Sequence, residues 1–327
     1  MDQTLLPVHV AGRQLATAAY GPPDGTPILF MHGTPGSRLQ LPEPQVLDTL
    51  GIRLVRYDRP GYGASTRDPG RRIVDAAADA AAVAEAMAWN EFAVLGYSGG
   101  GPHALAVAAQ LGDRVRRCAA VASIAPMDAV GLDFFAGMSE GHVEEFDAAL
   151  GGAEQLATLL DPVAGAVAED VFAFMASLRA DLPDEDAAAL DRPDVASAFA
   201  ASFVEGLRPG AGGWIDDDLA FCAPWGFEVD SITVPVSVWQ GSTDVLVPPS
   251  HAAWLAQAIP GAEGQLIVGS GHFGLLDRLP QIYTWLLGYP RLPLLAHLPW
   301  PVRAGQHGCG PAKRRPRRTG TAFASFR

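Results

Sequence analysis

The sequence Gly96-Tyr97-Ser98-Gly99-Gly100 follows the apolar run Phe92-Ala93-Val94-Leu95 and leads into an alanine-rich segment that begins at Pro102. This order predicts a strand, a tight turn and a helix. Glycines on both sides of the serine let the strand and the helix approach closely, so the serine takes a strained backbone and exposes its hydroxyl above the sheet. Ser98 is therefore predicted to be a nucleophile, and the alternative is an ordinary turn between a strand and a helix.

A nucleophilic serine needs a base and an acid that orients the base. The apolar run Val234–Trp239 predicts a strand whose following loop contains Asp244, and Gln265–Val268 predicts a strand whose following loop contains His272. These positions predict Asp244 as the orienting acid and His272 as the base. Asp128, after an earlier predicted strand at 118–124, is an alternative for the acid.

Five segments occur in the order found in the α/β-hydrolase fold superfamily, and this chain resembles that superfamily over residues 8–290. The segments read MHGTPGSR, YDRPGYGAST, LGYSGGGPHALA, WQGSTDVLVP and GSGHFG. The resemblance implies an α/β fold with a mostly parallel central sheet, helices on both faces and an inserted helical cap. It also implies the order Ser98, Asp244, His272 for the triad, and an oxyanion hole formed by the backbone N–H groups of Thr34 and Gly99.

Two residues depart from a similar branch, the proline iminopeptidases. That branch usually has a second glycine in place of Thr34 and a tryptophan in place of Gly99. Dehalogenases and epoxide hydrolases have aspartate as the nucleophile, so Ser98 argues against both. The motifs do not specify the substrate, because one scaffold supports many reactions.

Charge divides the chain. Residues 129–230 hold 21 Asp and Glu against three Arg, whereas residues 303–327 hold seven Arg and Lys and no acid. Strand and helix patterns alternate outside 129–230, and only helical patterns occur within it, for example at 167–179 and 195–207. We therefore predict a hydrolase core at 1–128 and 231–302, a helical cap at 129–230 and a basic, disordered tail at 303–327.

The predicted cap is rich in phenylalanine, with nine of the 14 Phe of the chain. We expect these aromatic and apolar side chains either to line an apolar pocket over Ser98 or to pack the cap helices together. The candidates are Phe134, Phe135, Phe146, Phe172, Phe174, Met175, Phe199 and Phe203.

Composition predicts a cytoplasmic protein without a membrane partner. Hydrophobic residues make up 49% of the 327 residues, but no apolar run reaches the roughly 18 residues of a membrane span. The three cysteines, Cys118, Cys222 and Cys309, are odd in number and far apart, which is typical of free thiols in a reducing compartment. The run Lys313–Arg318 is too short a signal for nucleic acid, so no nucleic-acid partner is expected. The oligomeric state stays open.

Other histidines are weaker candidates. His32 ends a predicted strand and favours a structural hydrogen bond, and His103 lies five residues after Ser98, on another face of the helix. No phosphate loop, dinucleotide motif or clustered set of His and Cys is present, so neither a cofactor nor a metal is implied.

The predicted function is a serine hydrolase that cleaves a carboxylic ester of a small or medium apolar molecule through an acyl-enzyme. One alternative is an aminopeptidase of the proline iminopeptidase type, in which Glu144, Glu145 or Glu205 would bind the substrate ammonium group. A cofactor-free haloperoxidase and a non-catalytic protein that binds a small apolar ligand are the others.

Overall fold

An eight-stranded sheet forms the centre of the computed structural model, which describes residues 4–41 and 46–289. In chain order the strands are β1 Thr4–Val10, β2 Arg13–Tyr20, β3 Thr26–Met31, β4 Ile52–Tyr57, β5 Phe92–Tyr97, β6 Val115–Val121, β7 Val236–Gly241 and β8 Glu263–Ile267. They lie side by side in the order β1-β2-β4-β3-β5-β6-β7-β8. β1 pairs antiparallel with β2, and β2 pairs antiparallel with β4. The remaining pairs, from β4 through β3 to β8 in this order, are all parallel.

The central strands are buried on both faces. Ile28 and Phe30 of β3 join the apolar core on one side of the sheet, and Leu29 and Met31 join the core on the other. Successive side chains of a strand point to opposite faces, so a strand covered on both sides is apolar throughout.

Helices cover the two faces and fill the segment between β6 and β7. The helices are α1 Val46–Leu50, α2 Ala76–Ala86, α3 Gly100–Gln110, α4 Glu140–Leu150, α5 Ala153–Glu169, α6 Val171–Ala180, α7 Asp184–Leu190, α8 Pro193–Gly206, α9 Gly212–Cys222, α10 Pro249–Ala258 and α11 Leu279–Leu286. Helices α2, α3 and α10 contribute to one core, and α1 and α11 to the other. We call α4–α9 the inserted helices.

The fold brings the predicted site residues to one edge of the sheet. β3, β5, β7 and β8 run in the same direction, so their carboxyl ends meet at one edge. The loops that hold Thr34, Ser98, Asp244 and His272 follow these four strands.

The hairpin of β1 and β2 was not predicted from the sequence. β1 contains Pro7, which removes a backbone donor and is tolerated in an edge strand, and β1 is the edge of the sheet. β2 holds three alanines, a residue with low strand preference. Neither segment contains the continuous apolar run from which the central strands are predicted.

The helix predicted at 167–179 is two helices. α5 ends at Glu169, Asp170 is extended, and its carboxylate accepts the N–H groups of Phe172 and Ala173 at 3.0 Å each. Aspartate is among the strongest N-cap residues, so it starts a new helix here instead of continuing the first. The strand expected at 118–124 is β6, which ends three residues earlier.

Some predictions fall on parts of the chain that the structure leaves undescribed. The predicted tail at 303–327 and Cys309 lie outside the described residues. Within 4–41 and 46–289, no helix has the length and apolar character to cross a membrane.

Candidate active site

Ser98 lies in a strained turn between β5 and α3. Its φ is +54°, in the left-handed region that residues with a side chain rarely occupy. A Cβ at Gly96 would collide with the carbonyl of Gly100, and a Cβ at Gly100 would collide with the carbonyl of Met31. The two glycines are thus required by the close approach of strand and helix, as the motif predicts.

Asp244 and His272 are hydrogen-bonded to each other. The Nδ1–H of His272 donates to Oδ2 of Asp244 at 2.8 Å, and both side chains are almost completely buried. The other carboxylate oxygen accepts the N–H groups of Leu246 and Val247 at 2.9 Å each, and Gln240 donates to Oδ2 at 2.8 Å. A carboxylate can only accept, so this pairing puts the proton on Nδ1 and leaves Nε2 as an acceptor.

The pKa of His272 lies above its ordinary value of 6.5. Burial lowers the pKa, but the charge of Asp244, its hydrogen bond and the charge of Asp186 outweigh burial. His142, a second histidine of the same cavity, has a lowered pKa because it is buried, so it is neutral where His272 titrates.

We expect kcat/KM for an ester substrate to rise with pH, with a midpoint above 6.5. The base must be neutral, and a raised pKa keeps His272 protonated to a higher pH than a free histidine. A pH profile of kcat/KM on a non-ionising ester measures the midpoint. Full activity well below pH 6 would contradict the assignment of His272 as the base.

The loop after β3 lies directly against the serine turn. A Cβ on Gly99 would collide with the side chain of Thr34, and a Cβ on Gly33 would come within 3.2 Å of Ser98 Cβ. The predicted oxyanion residues, Thr34 and Gly99, are thus neighbours beside Ser98. Gln40 accepts the N–H of Gly33 and holds the loop in place.

His32 is part of the support of this loop. Its Nδ1–H donates to the carbonyl of Gly33 at 2.7 Å, and its Nε2 accepts the N–H of Arg59 at 3.1 Å. Burial holds the pKa of His32 well below its ordinary range. A neutral imidazole with a hydrogen bond at each ring nitrogen agrees with the structural role expected for His32.

A buried ion cluster, which the sequence did not reveal, connects this loop to the inserted helices. Asp217 of α9 accepts hydrogen bonds from Thr34 Oγ1 at 2.7 Å and from Tyr62 at 2.8 Å, and it pairs with Arg59 and Arg71. Burial raises the pKa of Asp217, but the two guanidinium groups outweigh burial and hold it well below its ordinary range. Asp217 therefore holds the Thr34 side chain in place from α9, one of the inserted helices.

We expect Asp217→Asn to lower the free energy of unfolding by about 3–5 kcal/mol, the scale for removing one partner from a buried ion pair. Asp216→Asn is the matched control. Asp216 is also buried, but its partner Arg67 is 47% exposed, so removing the Asp216 charge leaves the guanidinium in contact with water and should cost less than the loss of Asp217. Urea unfolding of the two variants measures the difference, and equal midpoints would contradict the importance of the buried cluster.

A cavity of about 120 Å³ opens beside Ser98 and His272. The inserted helices supply most of its far wall. Of the eight apolar residues proposed from the sequence, Phe174, Phe199 and Phe203 line it. Phe134, Phe135 and Phe146 instead contact one another, Met175 packs in the core, and Phe172 is 66% exposed.

Polar residues of α4 and the residue before it also line the cavity. Ser139, His142 and Glu145 line it, and Trp214 donates its indole N–H to Glu145 at 2.6 Å. Burial and the charge of Glu145 hold the pKa of Asp218 well above its ordinary range. The lining of the cavity therefore combines aromatic side chains with an acidic, hydrogen-bonded group.

Two other candidates lie away from the cavity. Asp128 is exposed on the loop after β6. His103 donates from Nδ1 to the carbonyl of Gly99 at 2.8 Å, and its Nε2 lies 3.6 Å from Asp217. Asp244, and not Asp128, thus contacts His272.

A family model of the alpha/beta hydrolase fold matches residues 26–279. The chain belongs to the α/β-hydrolase fold family. The resemblance drawn from the five sequence segments and the predicted fold class are both confirmed by this match and by the sheet described above.

Known proteins with similarity to this chain have several activities. A non-heme chloroperoxidase of Streptomyces lividans is 36% identical over 112 residues, a match that spans 33% of this chain and only 40% of that relative. The enol-lactonase of Burkholderia xenovorans LB400 superimposes with a TM-score of 0.63 at 22% identity, covering 86% of this chain and 100% of that one. A thermophilic esterase of Thermogutta terrifontis gives 0.63 at 20% identity, covering 87% and 98%. At such identities the structural likeness establishes the fold.

Proposed function

We propose that this α/β-hydrolase is a serine esterase that cleaves small or medium esters with an apolar acyl group. The observation that supports this most directly is the His272–Asp244 hydrogen bond in a cavity that Ser98 also lines. Esterase and lactonase relatives of the same fold agree with ester chemistry, since a lactone is a cyclic ester.

In the proposed first step, His272 Nε2 takes the proton of Ser98 while Oγ attacks the ester carbonyl carbon. The carbonyl oxygen becomes an oxyanion that accepts hydrogen bonds from the backbone N–H groups of Thr34 and Gly99. One such donor typically contributes ~10²–10³ in rate. Asp244 stabilises the imidazolium, which then gives its proton to the leaving alkoxide, so an alcohol departs and an acyl-enzyme remains.

The second step reverses these roles. His272 takes a proton from water, whose oxygen attacks the acyl carbon, and the bond to Ser98 Oγ breaks. The proton returns to Oγ, and a carboxylic acid is released. The buried pair of His272 and Asp244 needs no external proton donor, because in each step His272 gives the proton taken from the nucleophile to the leaving group.

The aromatic wall favours an apolar substituent, and the mouth disfavours negative charge. A surface depression that contains Glu140 shares Ser139, Gly141 and Asp181 with the cavity, and the walls include Glu145. Carboxylates around an entrance repel ligands of the same sign.

We expect neutral or cationic esters to have a higher kcat/KM than anionic esters of the same size. The difference should shrink with salt, because the Debye length falls to about 3 Å at 1 M. Asp181→Asn should narrow the difference, and Glu169→Gln, which removes an exposed acid at the end of α5, is the control. Equal kcat/KM for a matched neutral and anionic pair would mean that these acids only solvate the surface.

A substrate panel tests the proposed function. We expect p-nitrophenyl esters of short and medium acyl chains to be cleaved, and aminoacyl-anilides to be poor substrates. Of the three acids proposed to bind an ammonium group, only Glu145 lines the cavity, while Glu144 is exposed and Glu205 pairs with Arg38. Faster cleavage of anilides than of esters would replace the esterase with an aminopeptidase.

A haloperoxidase is the second candidate, favoured by the 36% identity to a chloroperoxidase. In that reaction hydrogen peroxide, instead of water, attacks the acyl-enzyme of a carboxylic acid and gives a peracid, which oxidises halide. Adding acetate, bromide and hydrogen peroxide to the enzyme and measuring bromination of an organic acceptor tests it. Both candidates need Ser98, so the comparison of ester and peroxide turnover separates them.

A further inference from the structure

Asp186 is a buried carboxylate on α7, and it contacts the loop that contains His272. Its Oδ2 accepts the backbone N–H of His272 at 2.6 Å, and its Oδ1 accepts those of Phe273 and Gly274 at 2.8 and 3.1 Å. A Cβ on Gly271 would collide with this carboxylate. Three successive backbone donors thus converge on one side chain of the inserted helices.

Two other hydrogen bonds to His272 come from residues outside the inserted helices. Tyr97, the residue before Ser98, donates its hydroxyl to the carbonyl of His272 at 3.1 Å, and Asp244 accepts from the ring. Apart from Nε2, which the proposed mechanism uses, the remaining polar group is the backbone N–H, and among the described residues Asp186 accepts it. The position of the imidazole therefore depends in part on Asp186, a residue of the inserted helices.

We infer that Asp186 is a positioning residue for His272, which makes the inserted helices part of the catalytic machinery as well as a wall of the cavity. The inference rests on the proposed function, because it assumes that His272 is the base. Asp186 does not line the cavity, so it acts through His272 and not on the substrate.

The charge of Asp186 also acts on the imidazole. The titratable groups that face His272 are Asp244 after β7, Asp186 on α7, His142 on α4 and the phenol of Tyr97 on β5. Asp244 and Asp186 both raise the pKa of His272, while burial lowers the pKa of His142. Removing the Asp186 charge should therefore lower the pKa of His272 and stabilise its protonated state less during the reaction.

Asp186→Asn is the main test. The amide must put an N–H₂ opposite at least one backbone donor, so the loop shifts. A misplacement of about 1 Å can cost roughly 10² in rate, and we expect kcat to fall by roughly 10- to 100-fold. KM should stay close to the wild-type value, and the acid limb of the pH profile should move to lower pH.

Two further variants separate position from charge. Gly271→Ala crowds the carboxylate but keeps its charge, so kcat should fall without a shift of the acid limb. It also carries the test if Asp186→Asn fails to fold, which thermal unfolding would reveal. Asp277→Asn is the control. It breaks an exposed ion pair between Arg192 of the inserted helices and Asp277, which follows His272 along the chain. It should keep the wild-type kcat and pH profile.

The rate at which a fluorophosphonate labels Ser98 distinguishes a failure of this inference from a failure of the proposed function. If the wild-type protein is not labelled at Ser98, the proposed function fails. If the wild-type protein is labelled, and Asp186→Asn and Gly271→Ala are labelled at the same rate with the same pH dependence, the role of Asp186 is wrong. Slower labelling of both variants and an unchanged Asp277→Asn would support it.

Discussion

Replacing Ser98 by alanine should lower kcat on the best ester substrate by roughly 10⁴–10⁶, the scale for loss of a triad nucleophile. Without Oγ no acyl-enzyme can form, and only water attack assisted by the remaining groups is left. Ser98 follows the carboxyl end of β5 with a φ of +54°, the strained turn that the nucleophile assignment expects.

Ser177→Ala is the matched control for this variant. Ser177 lines the same cavity from α6, so its loss removes a hydroxyl without touching the turn between β5 and α3. We expect it to keep most of the wild-type kcat. A Ser98→Ala enzyme with more than about a tenth of wild-type turnover would contradict the nucleophile assignment.

Asp244→Asn should lower kcat by about 10⁴, because it reverses the tautomer of the base. Oδ1 of an asparagine can still accept from Leu246 and Val247, and Gln240, which donates to Oδ2 of Asp244, must turn its amide so that its oxygen accepts instead. The amide N–H₂ then faces His272 Nδ1 and favours the tautomer with the proton on Nε2. An Nε2–H cannot accept the proton of Ser98.

Asp128→Asn is the control for Asp244, because Asp128 was the other acid that the sequence offered. It is exposed and should keep wild-type kinetics. If Asp128→Asn lost activity and Asp244→Asn kept it, the 2.8 Å hydrogen bond between Asp244 and His272 would have no catalytic meaning.

The sequence was most informative where a local pattern and a strand end coincide. Apolar runs revealed β5, β7 and β8, and parallel strands bring the residues after them to one edge. For this reason Ser98, Asp244 and His272 were singled out without a structure. Phe174, Phe199 and Phe203 were proposed from composition alone, and that argument could not separate them from Phe134 or Phe146.

Contacts between the inserted helices and the catalytic loops were not predictable in the same way. Asp217 is 158 residues from Arg59, and Asp186 is 86 residues from His272, so no spacing rule connects them. One signal was present. Three consecutive acids, Asp216–Asp218, occur among apolar residues of α9, and side chains about 100° apart cannot all point to solvent if the helix is buried. All three are in fact buried.

Covalent labelling of the intact protein tests the central claim most directly. Incubation with a fluorophosphonate, followed by intact mass measurement and peptide mapping, shows whether a serine reacts and which one. We predict one adduct per chain, on Ser98, formed faster as the pH rises through the pKa of His272 and absent from Ser98→Ala. An unlabelled protein, or an adduct on another serine, would contradict the account and leave a protein that keeps the fold but binds its ligand without catalysis.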